Sequence, residues 1–263
     1  MNLPKISVVT VTFNAVDVIE KTLLSVLGQR YENLEYLIID GASSDGTMAV
    51  VDRYRDRIDY ISSEPDRGLY DAMNKGAAAA TGDYVIMMNA DDVFADDRVV
   101  ADVAAFLGEH PDCDVVFGDT EELWEYGPVV RRPEQAYRNH KMCISPQAAF
   151  TRTELMRLHP FNLQYRYAAD FEQFSTFYLA GKVFLRIDRL IARVEKRGGV
   201  TRENHLASAR EIYSIIESQG FDVRREKRRI LRHIRMVDTF KRLTPGWIAN
   251  PVLRLVAKCY KPL

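Results

Sequence analysis

Apolar and polar residues in the first half of the chain alternate between continuous apolar runs and segments with helical spacing. The apolar runs are "ISVVTVTF" (6–13), "LEYLIID" (34–40), "IDYISS" (58–63) and "YVIMM" (84–88), and each predicts a strand. Helical periodicity follows each run, as at Ile19, Leu23 and Val26 after the first. Strands and helices that alternate over short links indicate an α/β fold, with a mostly parallel central sheet and helices on both faces.

The regular alternation ends after Pro111, where the pattern predicts a mixed sheet. "DVVFGDTEELWEY", "VVRR" and "AAF" have the pattern of shorter strands, interleaved with helices around Glu154 and Phe171. Helical spacing then extends over residues 201–219 and again from 222 to about 241. The second half is therefore predicted to complete the sheet and to end in helices.

Charge is distributed unevenly along the chain. The 263 residues carry a formal net charge of −1, which gives no indication of a polyanionic partner. Residues 222–263 nevertheless contain twelve Lys and Arg against three Asp and Glu, so the acidic excess lies in the rest of the chain. We therefore expect one domain over residues 1–200 and a helical, basic C-terminal extension over residues 201–263.

The cysteines and the apolar runs give an expectation for the compartment. Cys113, Cys143 and Cys259 lie far apart and without metal-ligand spacing, so neither a disulfide framework nor a structural zinc site is expected. The first apolar run has the pattern of a strand rather than of a signal peptide. No run of about 18 uncharged apolar residues would span a bilayer. The sequence therefore predicts a cytoplasmic protein.

Polar residues follow each strand of the predicted parallel sheet. They are Thr12 and Asn14 after the first strand, and residues 40–46, 64–68 and 89–92 after the others. Ligands of open parallel sheets bind beyond the carboxyl ends of the strands. We therefore expect a binding site at this edge of the sheet.

Two adjacent carboxylates, Asp91 and Asp92, follow the fourth strand directly. Like charges this close repel each other unless a positive charge lies between them. One interpretation is a helix start, because Asp is a favourable N-cap, although Asp96 and Asp97 lie closer to the next helix. The other interpretation is a divalent cation, because Mg²⁺ and Mn²⁺ commonly bind one or two carboxylates together with phosphate oxygens.

Motifs of several other enzyme classes are absent. "GASSDGT" (41–47) lacks the Gly-Lys-Ser/Thr of a P-loop, and no strand leads into G-x-G-x-x-G. The chain has neither the G-x-S-x-G of serine hydrolases nor the H-E-x-x-H of zinc proteases. A diphosphate at the strand ends would therefore depend on a metal held by carboxylates to offset its charge.

Four segments together resemble a known family in their order and spacing. "SVVTVTFNA", "IIDGASSDGT", "EPDRGLYDAMNKG" and "GDYVIMMNADD" resemble a GT-A fold family 2 glycosyltransferase, over about residues 4 to 200. The resemblance is strongest to the bacterial branch that builds exopolysaccharide, lipopolysaccharide or glycolipid, the colanic-acid type. It implies a GT-A fold and an inverting enzyme that takes a sugar from a UDP- or GDP-linked donor, with Mn²⁺ or Mg²⁺ as cofactor.

The resemblance also implies roles for individual residues. Asp92 would be the metal ligand, and Asp91 would lie nearer the ribose or phosphate. The remaining donor-site residues would be Asp40, which reads the base edge, together with Thr12, Asn14 and Asp66. For Ser43, Ser44 and Asp45 we favour capping of the next helix, and for Asp71 a role as a first-turn acid.

Inversion requires a base that removes the proton of the attacking acceptor hydroxyl. By the resemblance, "YAADFEQF" (167–174) places this base at Asp170. Asp170 is equally well interpreted as an N-cap, with Glu172 and Gln173 in the first turn of its helix, and the two roles are compatible.

Two further segments bear on the resemblance. In "SPQAAF" (145–150), Pro146 stands where relatives often have His, which leaves that residue's role unfilled. "RGGVT" (197–201) resembles a Gly-Gly loop, which is interpreted either as a flap over the donor or as a plain turn.

The basic extension is amphipathic. Ile230, Ile234 and Val237 fall on one helical face among many Arg and Lys, and Trp247 lies among apolar residues further on. Such a helix indicates an anionic membrane surface, here the inner face of the membrane. The alternative is packing on the acidic body. Nucleic acid is not an expected partner, because no binding module accompanies the charge.

The sequence thus predicts a metal-dependent inverting glycosyltransferase that acts on a lipid-linked or polysaccharide-repeat acceptor. A non-catalytic nucleotide-sugar binding module that recruits other assembly proteins is the alternative from another class. A nucleotidyltransferase would require a Gly/Arg-rich phosphate loop near the N-terminus, and none is present.

Overall fold

The protein is described here by a computed structural model that covers residues 3–124, 127–196 and 204–243. The strands are β1 Ile6–Thr12, β2 Leu34–Asp40, β3 Tyr60–Ser63, β4 Tyr84–Asn89, β5 Val93–Phe94, β6 Val115–Trp124, β7 Gly127–Arg131, β8 Tyr137–Arg138, β9 Lys141–Met142, β10 Ala149–Arg152 and β11 Phe184–Glu195. The helices are α1 Ile19–Leu27, α2 Thr47–Asp52, α3 Leu69–Ala79, α4 Val99–Glu109, α5 Thr153–Leu158, α6 Ala169–Leu179, α7 His205–Ser218 and α8 Arg224–Leu243. Short 3₁₀ helices occur at Arg55–Arg57 and Pro146–Ala148.

The central sheet is parallel in its first half, as the sequence predicts. Its strand order is β3-β2-β1-β4-β10-β6-β11-β5, with β7 paired to β6, and β3, β2, β1 and β4 are mutually parallel. Thr12 lies opposite Asp40, which lies opposite Ser63, while Asn89 lies opposite Val11. The register therefore brings the carboxyl ends of four strands to one edge, where the polar residues were expected.

The second half of the sheet is mixed. Strand β10 is antiparallel to both β4 and β6, and β11 is parallel to β6. Strand β6 has ten residues and lies within the predicted strand segment "DVVFGDTEELWEY". The sequence analysis did not predict the twelve-residue β11, because charged residues interrupt its apolar pattern. Ion pairs satisfy those charges, including Arg186 with Asp119 at 2.9 Å.

Apolar residues that alternate along the strands build two cores, one on each face of the sheet. Val8 of β1 lies in the core formed with helices α1, α2 and α4, whereas its neighbour Val9 lies in the core formed with α3, α5 and α6. Met88 and Met87 divide between the same two cores in β4. This arrangement confirms the prediction of a mostly parallel sheet with helices on both faces.

The helices at the C-terminal end of the described chain pack on α6. Tyr213 and Ile216 of α7 form a small buried cluster with Val223, and Phe171 of α6 and Ile230 of α8 pack against it. The division at residue 200 stays a prediction, because residues 197–203 lie outside the described part. Among the helices that the structure describes, none has both the length and the apolar character to cross a bilayer.

Candidate active site

Asp40 is the central acid at the strand ends. It is the last residue of β2, it is fully buried, and its carboxylate accepts three hydrogen bonds. Ser43 N–H and Ser63 Oγ donate to Oδ2 at 3.0 and 2.6 Å, and Ser43 Oγ donates to Oδ1 at 2.5 Å. A carboxylate has about four lone-pair sites, so one remains on Oδ1 for a further donor.

Ser43 fixes the loop between β2 and α2 to the loop after β1. Its hydroxyl accepts the Asn14 backbone N–H at 2.8 Å, and Asn14 Oδ1 accepts the Ser44 N–H at 2.9 Å. The expectation that Ser43 and Ser44 cap α2 is therefore wrong. The N-cap position is Gly46, and Asp45 Oδ1 accepts the N–H of Thr47 at 3.0 Å. Asn14 has a φ of 48°, which the reciprocal bonds with this loop hold in place.

Asp66 lies directly above Gly41, next to Asp40. A Cβ atom on Gly41 would overlap Asp66 Oδ2 and would come within 3.2 Å of the Phe13 ring. The Asp66 carboxylate also accepts the Gly68 N–H at 2.8 Å, which fixes its orientation. Phe13 is 62% exposed, so an aromatic face stands open beside these two acids. The structure therefore places Asp66 against Gly41, the residue that follows Asp40 in the chain.

The turn after β4 places the two adjacent acids, Asp91 and Asp92, in different surroundings: Asp91 is partly exposed and Asp92 is buried. Asp91 has a φ of 99°, an unusual value for a residue other than glycine, and its N–H donates to Thr22 Oγ1 at 2.9 Å. The Asp91 carboxylate is about a quarter exposed and is paired with the Lys21 ammonium of α1. Sequence reasoning missed Lys21, which lies on the polar side of a helix.

Asp92 is 3% exposed. Its Oδ2 accepts Asn89 Nδ2–H at 3.1 Å, and its Oδ1 accepts the backbone N–H of Glu195 at the end of β11, also at 3.1 Å. Burial raises the pKa of Asp92 to about 6, against the lowering effect of these hydrogen bonds and of the Lys196 charge. The helix-start interpretation does not hold, since the N-cap position of α4 is Arg98.

Two further oxygen atoms at this edge lack a protein donor. Thr12 Oγ1 and Asn89 Oδ1 are buried, and neither finds a hydrogen-bond partner within the described part of the chain. These residues end the adjacent strands β1 and β4. Buried polar atoms in native proteins are nearly always paired, so such atoms beside a cleft are expected to meet a ligand or an ordered water.

The oxygen atoms after β4 fit a hard divalent cation. Mg²⁺ and Mn²⁺ are bound by oxygen ligands, often one or two carboxylates completed by substrate phosphates. Asn89 Oδ1 and the carboxylates of Asp91 and Asp92 have this chemistry and lie within one turn. The described residues contain no cluster of three or more His, Cys, Asp or Glu side chains that would hold a metal alone. Substrate phosphate oxygens would complete the coordination of such a cation.

Asp170 lies in the first turn of α6. It is the second residue of that helix, whose N-cap position is Ala168, so the N-cap interpretation is wrong. Its Oδ1 accepts a hydrogen bond from Tyr70 Oη of α3 at 2.8 Å. Burial raises the pKa of Asp170, and the bonds from Tyr70 and from backbone N–H groups of the turn oppose that rise.

Burial is the main influence on the pKa of both Asp92 and Asp170, and it raises both. The Lys196 charge lowers the pKa of both Asp92 and Asp170. The expected first-turn acid Asp71 is confirmed, and it pairs with Arg67 at 3.0 Å. Pro146 begins a 3₁₀ helix, and the "RGGVT" segment lies outside the described residues.

Four polar groups near the site are not predicted by the sequence pattern: Ser63, Lys21, Tyr70 and Lys196. A signal existed for Tyr70, because it lies inside the motif "EPDRGLYDAMNKG". The others contribute through tertiary contacts that no local pattern marks.

Comparison with known proteins decides the family. The family model "Glycosyl transferase family 2" matches residues 7–170, which includes every site residue described above from Thr12 to Asp170. This chain belongs to glycosyl transferase family 2. The family 2 assignment and the GT-A fold suggested by the four sequence segments are thereby supported, while the colanic-acid branch is not.

Curated relatives are similar over about two thirds of each chain. A "PGL/p-HBAD biosynthesis glycosyltransferase" of Mycobacterium tuberculosis is 31% identical over 179 residues, which cover 65% of this chain and 69% of the relative. An uncharacterized glycosyltransferase of the same species is 34% identical over 183 residues, which cover 64% and 67%.

Solved structures share the fold at lower identity. The mannosyltransferase PcManGT from Pyrobaculum calidifontis, in complex with GDP-Man and Mn²⁺, has a TM-score of 0.67 at 19% identity and covers 100% of this chain and 82% of its own. TarS of S. aureus, in complex with UDP-GlcNAc, has a TM-score of 0.63 at 22% identity and covers 86% and 70%. Both comparisons support the GT-A architecture.

Proposed function

We propose that this family 2 member is a metal-assisted, inverting glycosyltransferase of the hexosyl type with a nucleotide-diphosphate donor and Asp170 as the general base. One observation carries the proposal. The parallel strand ends present two buried oxygen atoms, on Thr12 and Asn89, that have no hydrogen-bond partner among the described residues, beside the acids Asp40, Asp91 and Asp92. That edge is where open parallel sheets bind nucleotides.

The residues at the ends of β1 and β2 would bind the nucleoside. Asp40 would read one N–H of a base edge, and its carboxylate, which is fully buried in this structure, is held in orientation by Ser43 and Ser63. The exposed Phe13 ring offers a face on which a base can stack. Thr12, Asn14 and Asp66 complete the donor site. Uridine and guanosine are both candidates, since solved neighbours carry UDP-GlcNAc or GDP-Man.

Asp91 and Asp92 would hold Mn²⁺ or Mg²⁺ together with the donor diphosphate. When bound, the cation offsets the charge of the leaving diphosphate. Asp91 is the more exposed carboxylate, and the Asp92 carboxylate is fixed in orientation by Asn89 and the backbone of Glu195. The Lys21 ammonium beside Asp91 adds a positive charge at the same point.

Asp170 would act on the acceptor side of the donor sugar. The acceptor hydroxyl oxygen forms a bond to the anomeric carbon, and the bond from that carbon to the diphosphate oxygen breaks. The hydroxyl proton passes to the Asp170 carboxylate, and the nucleoside diphosphate leaves with the bonding electron pair. Such general-base assistance is typically worth about 10² to 10⁴ in rate.

The acceptor we propose is lipid-linked or a polysaccharide repeat, as in the colanic-acid branch, and the enzyme would work from the cytoplasm on the inner face of the membrane. A curated relative is named for PGL/p-HBAD biosynthesis, which supports a biosynthetic role for the glycosyl transfer. Helix α8 supports the membrane partner, because Arg225, Arg228, Arg232 and Arg235 are exposed along it.

Nucleotide release separates this function from that of a non-catalytic binding module. The purified protein is incubated with Mn²⁺ and a panel that includes UDP-GlcNAc and GDP-mannose, and the nucleoside diphosphate released is measured. Slow, metal-dependent hydrolysis of at least one donor supports an enzyme. Saturable donor binding without release from any donor, with or without an extract of bacterial lipids as acceptor, supports the binding module.

A further inference from the structure

A buried phenol contacts the proposed base. Tyr70 Oη donates to Asp170 Oδ1 at 2.8 Å, and this bond joins α3 to α6 across 100 residues of sequence. Tyr70 is 8% exposed, and its ring packs against Phe161 with 5.4 Å between the ring centroids. The phenol is therefore fixed by packing as well as by its hydrogen bond.

We propose that Tyr70 is a positioning residue for catalysis: its hydroxyl holds Asp170 Oδ1, so that Oδ2 is the atom that takes the acceptor proton. This inference rests on the proposed function, in which Asp170 is the base. A hydrogen bond to one carboxylate oxygen restricts rotation of the carboxylate, and a correctly oriented base reacts faster than a mobile one.

The elements on both sides of this bond are themselves fixed. Asn74 lies one turn after Tyr70 on α3, and it exchanges two hydrogen bonds with the Phe161 backbone, at 2.9 and 2.8 Å. On the other side, the Glu211 carboxylate of α7 accepts the N–H groups of residues 166, 167 and 168, at 3.0, 2.8 and 3.1 Å. Residues 161–168 lead into α6, so both contacts fix the position from which Asp170 projects.

The charges around the pair determine the sign of the expected pH effect. The Tyr70 hydroxyl and Lys196, the residue after β11, favour the charged form of Asp170. The Glu211 charge on α7 contributes to the raised pKa of Tyr70. Glu172, on the same helix as Asp170, has a pKa raised by burial. Burial and the nearby Asp170 charge raise the pKa of Tyr70, so the phenol stays protonated and donates. Removal of the hydroxyl therefore raises the pKa of Asp170.

Tyr70→Phe tests the inference, because it keeps the ring and removes only the hydroxyl. Turnover is the metal-dependent release of UDP from UDP-GlcNAc, or of GDP from GDP-mannose, measured against pH. We expect the acidic limb of kcat to move to higher pH by about one unit, because one charge-assisted hydrogen bond is lost. The kcat plateau should fall about tenfold, with unchanged affinity for UDP or GDP.

The matched control is Tyr84→Phe. It removes another buried phenol, which donates to the Cys113 carbonyl at 2.6 Å at the opposite end of β4. This control should leave the pH profile in place, even if the melting temperature falls.

A double-mutant cycle separates positioning from general loosening of the fold. If Tyr70 acts through Asp170, adding Tyr70→Phe to Asp170→Asn reduces the residual rate no further. An unshifted acidic limb in Tyr70→Phe, or a full additional loss in the double variant, would overturn the positioning role. A wild-type rate in Asp170→Asn would instead overturn the base assignment on which the inference rests, so the two failures are distinguishable.

Discussion

The Asp92 carboxylate accepts a hydrogen bond from the Glu195 backbone N–H across 103 residues of sequence, at 3.1 Å. The bond joins the acidic turn after β4 to the end of β11. Lys196, the next residue, lowers the pKa of both Asp92 and Asp170 by its charge. The end of β11 therefore contributes directly to the proposed metal site through the Glu195 N–H.

Removal of either acid after β4 should weaken donor binding. We expect Asp91→Asn and Asp92→Asn each to lower the Mn²⁺-dependent affinity for UDP or GDP at least tenfold, because phosphate-completed sites depend on their few carboxylates. Calorimetric titration of the nucleoside diphosphates with and without Mn²⁺ measures this effect. Asp112→Asn, at an exposed position before β6, is the control. Equal affinity with and without Mn²⁺ in every variant would rule out the metal role.

The ionised Glu35 carboxylate should stabilise the folded protein, and this contribution to the free energy of unfolding should depend on pH between about 4.5 and 2. Burial would raise the pKa of Glu35, but hydrogen bonds from Ser7, Thr81 and Lys5 lower it to about 2. Its stabilisation is therefore fully present above about pH 4.5 and is lost as the pH falls toward 2. Glu35→Gln should cost about 2 kcal/mol at pH 7, which is less than the full effect of that shift because the amide keeps part of the hydrogen bonding.

Urea unfolding at pH 7, 4.5 and 3.5 measures that dependence. The difference between wild type and Glu35→Gln should narrow as the pH falls below 4.5. The exposed Glu109→Gln should differ little from wild type at each pH. A constant difference for Glu35→Gln across the three pH values would contradict the explanation.

Gly76 lets α3 approach the sheet closely. A Cβ atom there would overlap Val9 Cγ1 of β1 and come within 3.3 Å of Ile39 Cγ1 of β2. Gly76→Ala should therefore destabilise the protein by about 1 to 3 kcal/mol, although alanine is the better helix former. Gly108→Ala in α4 is the control, because its nearest neighbour is the half-exposed Leu3 side chain, which can move. If Gly76→Ala unfolds at the same urea concentration as wild type, the packing between α3 and the sheet can accommodate a Cβ atom, which would contradict this explanation.

Charge on α8 should determine membrane binding. Replacement of Arg225, Arg228, Arg232 and Arg235 by Gln should lower binding to anionic vesicles more than a hundredfold at low salt, since each basic residue near such a surface contributes about 1 kcal/mol. Sedimentation with phosphatidylglycerol vesicles measures this, and phosphatidylcholine vesicles are the control. Equal sedimentation of wild type and variant would leave α8 with a structural role only, consistent with the contact of Lys227 with Glu217 at 2.7 Å.

The sequence predicts the parallel half of the fold well, because those strands are buried on both faces and appear as unbroken apolar runs. Strand β11 was missed for the opposite reason: its arginines are satisfied by ion pairs with distant acids, such as Arg193 with Glu121 at 2.8 Å. Local pattern cannot show such partners. The same limit applies to Ser43, whose bonds to Asp40 and Asn14 override the capping role that its position indicates.

In the candidate site, the positions of residues at strand ends can be predicted from the sequence, whereas contacts between helices cannot. Thr12, Asp40 and Asn89 could be placed at one edge, because strand ends follow from the apolar runs and parallel register follows from the alternation with helices. The bond between Tyr70 and Asp170 could not be predicted, since it depends on how α3 and α6 pack on one face of the sheet.

Nucleotide release by Asp170→Asn measures whether Asp170 is the general base. The substitution keeps the size of the side chain and its ability to accept the Tyr70 hydrogen bond, but it removes the basicity. Affinity for UDP or GDP with Mn²⁺ and the melting temperature should stay close to wild type, while turnover falls by about two to four orders of magnitude. A folded Asp170→Asn variant that binds the donor and turns it over at the wild-type rate would contradict the account.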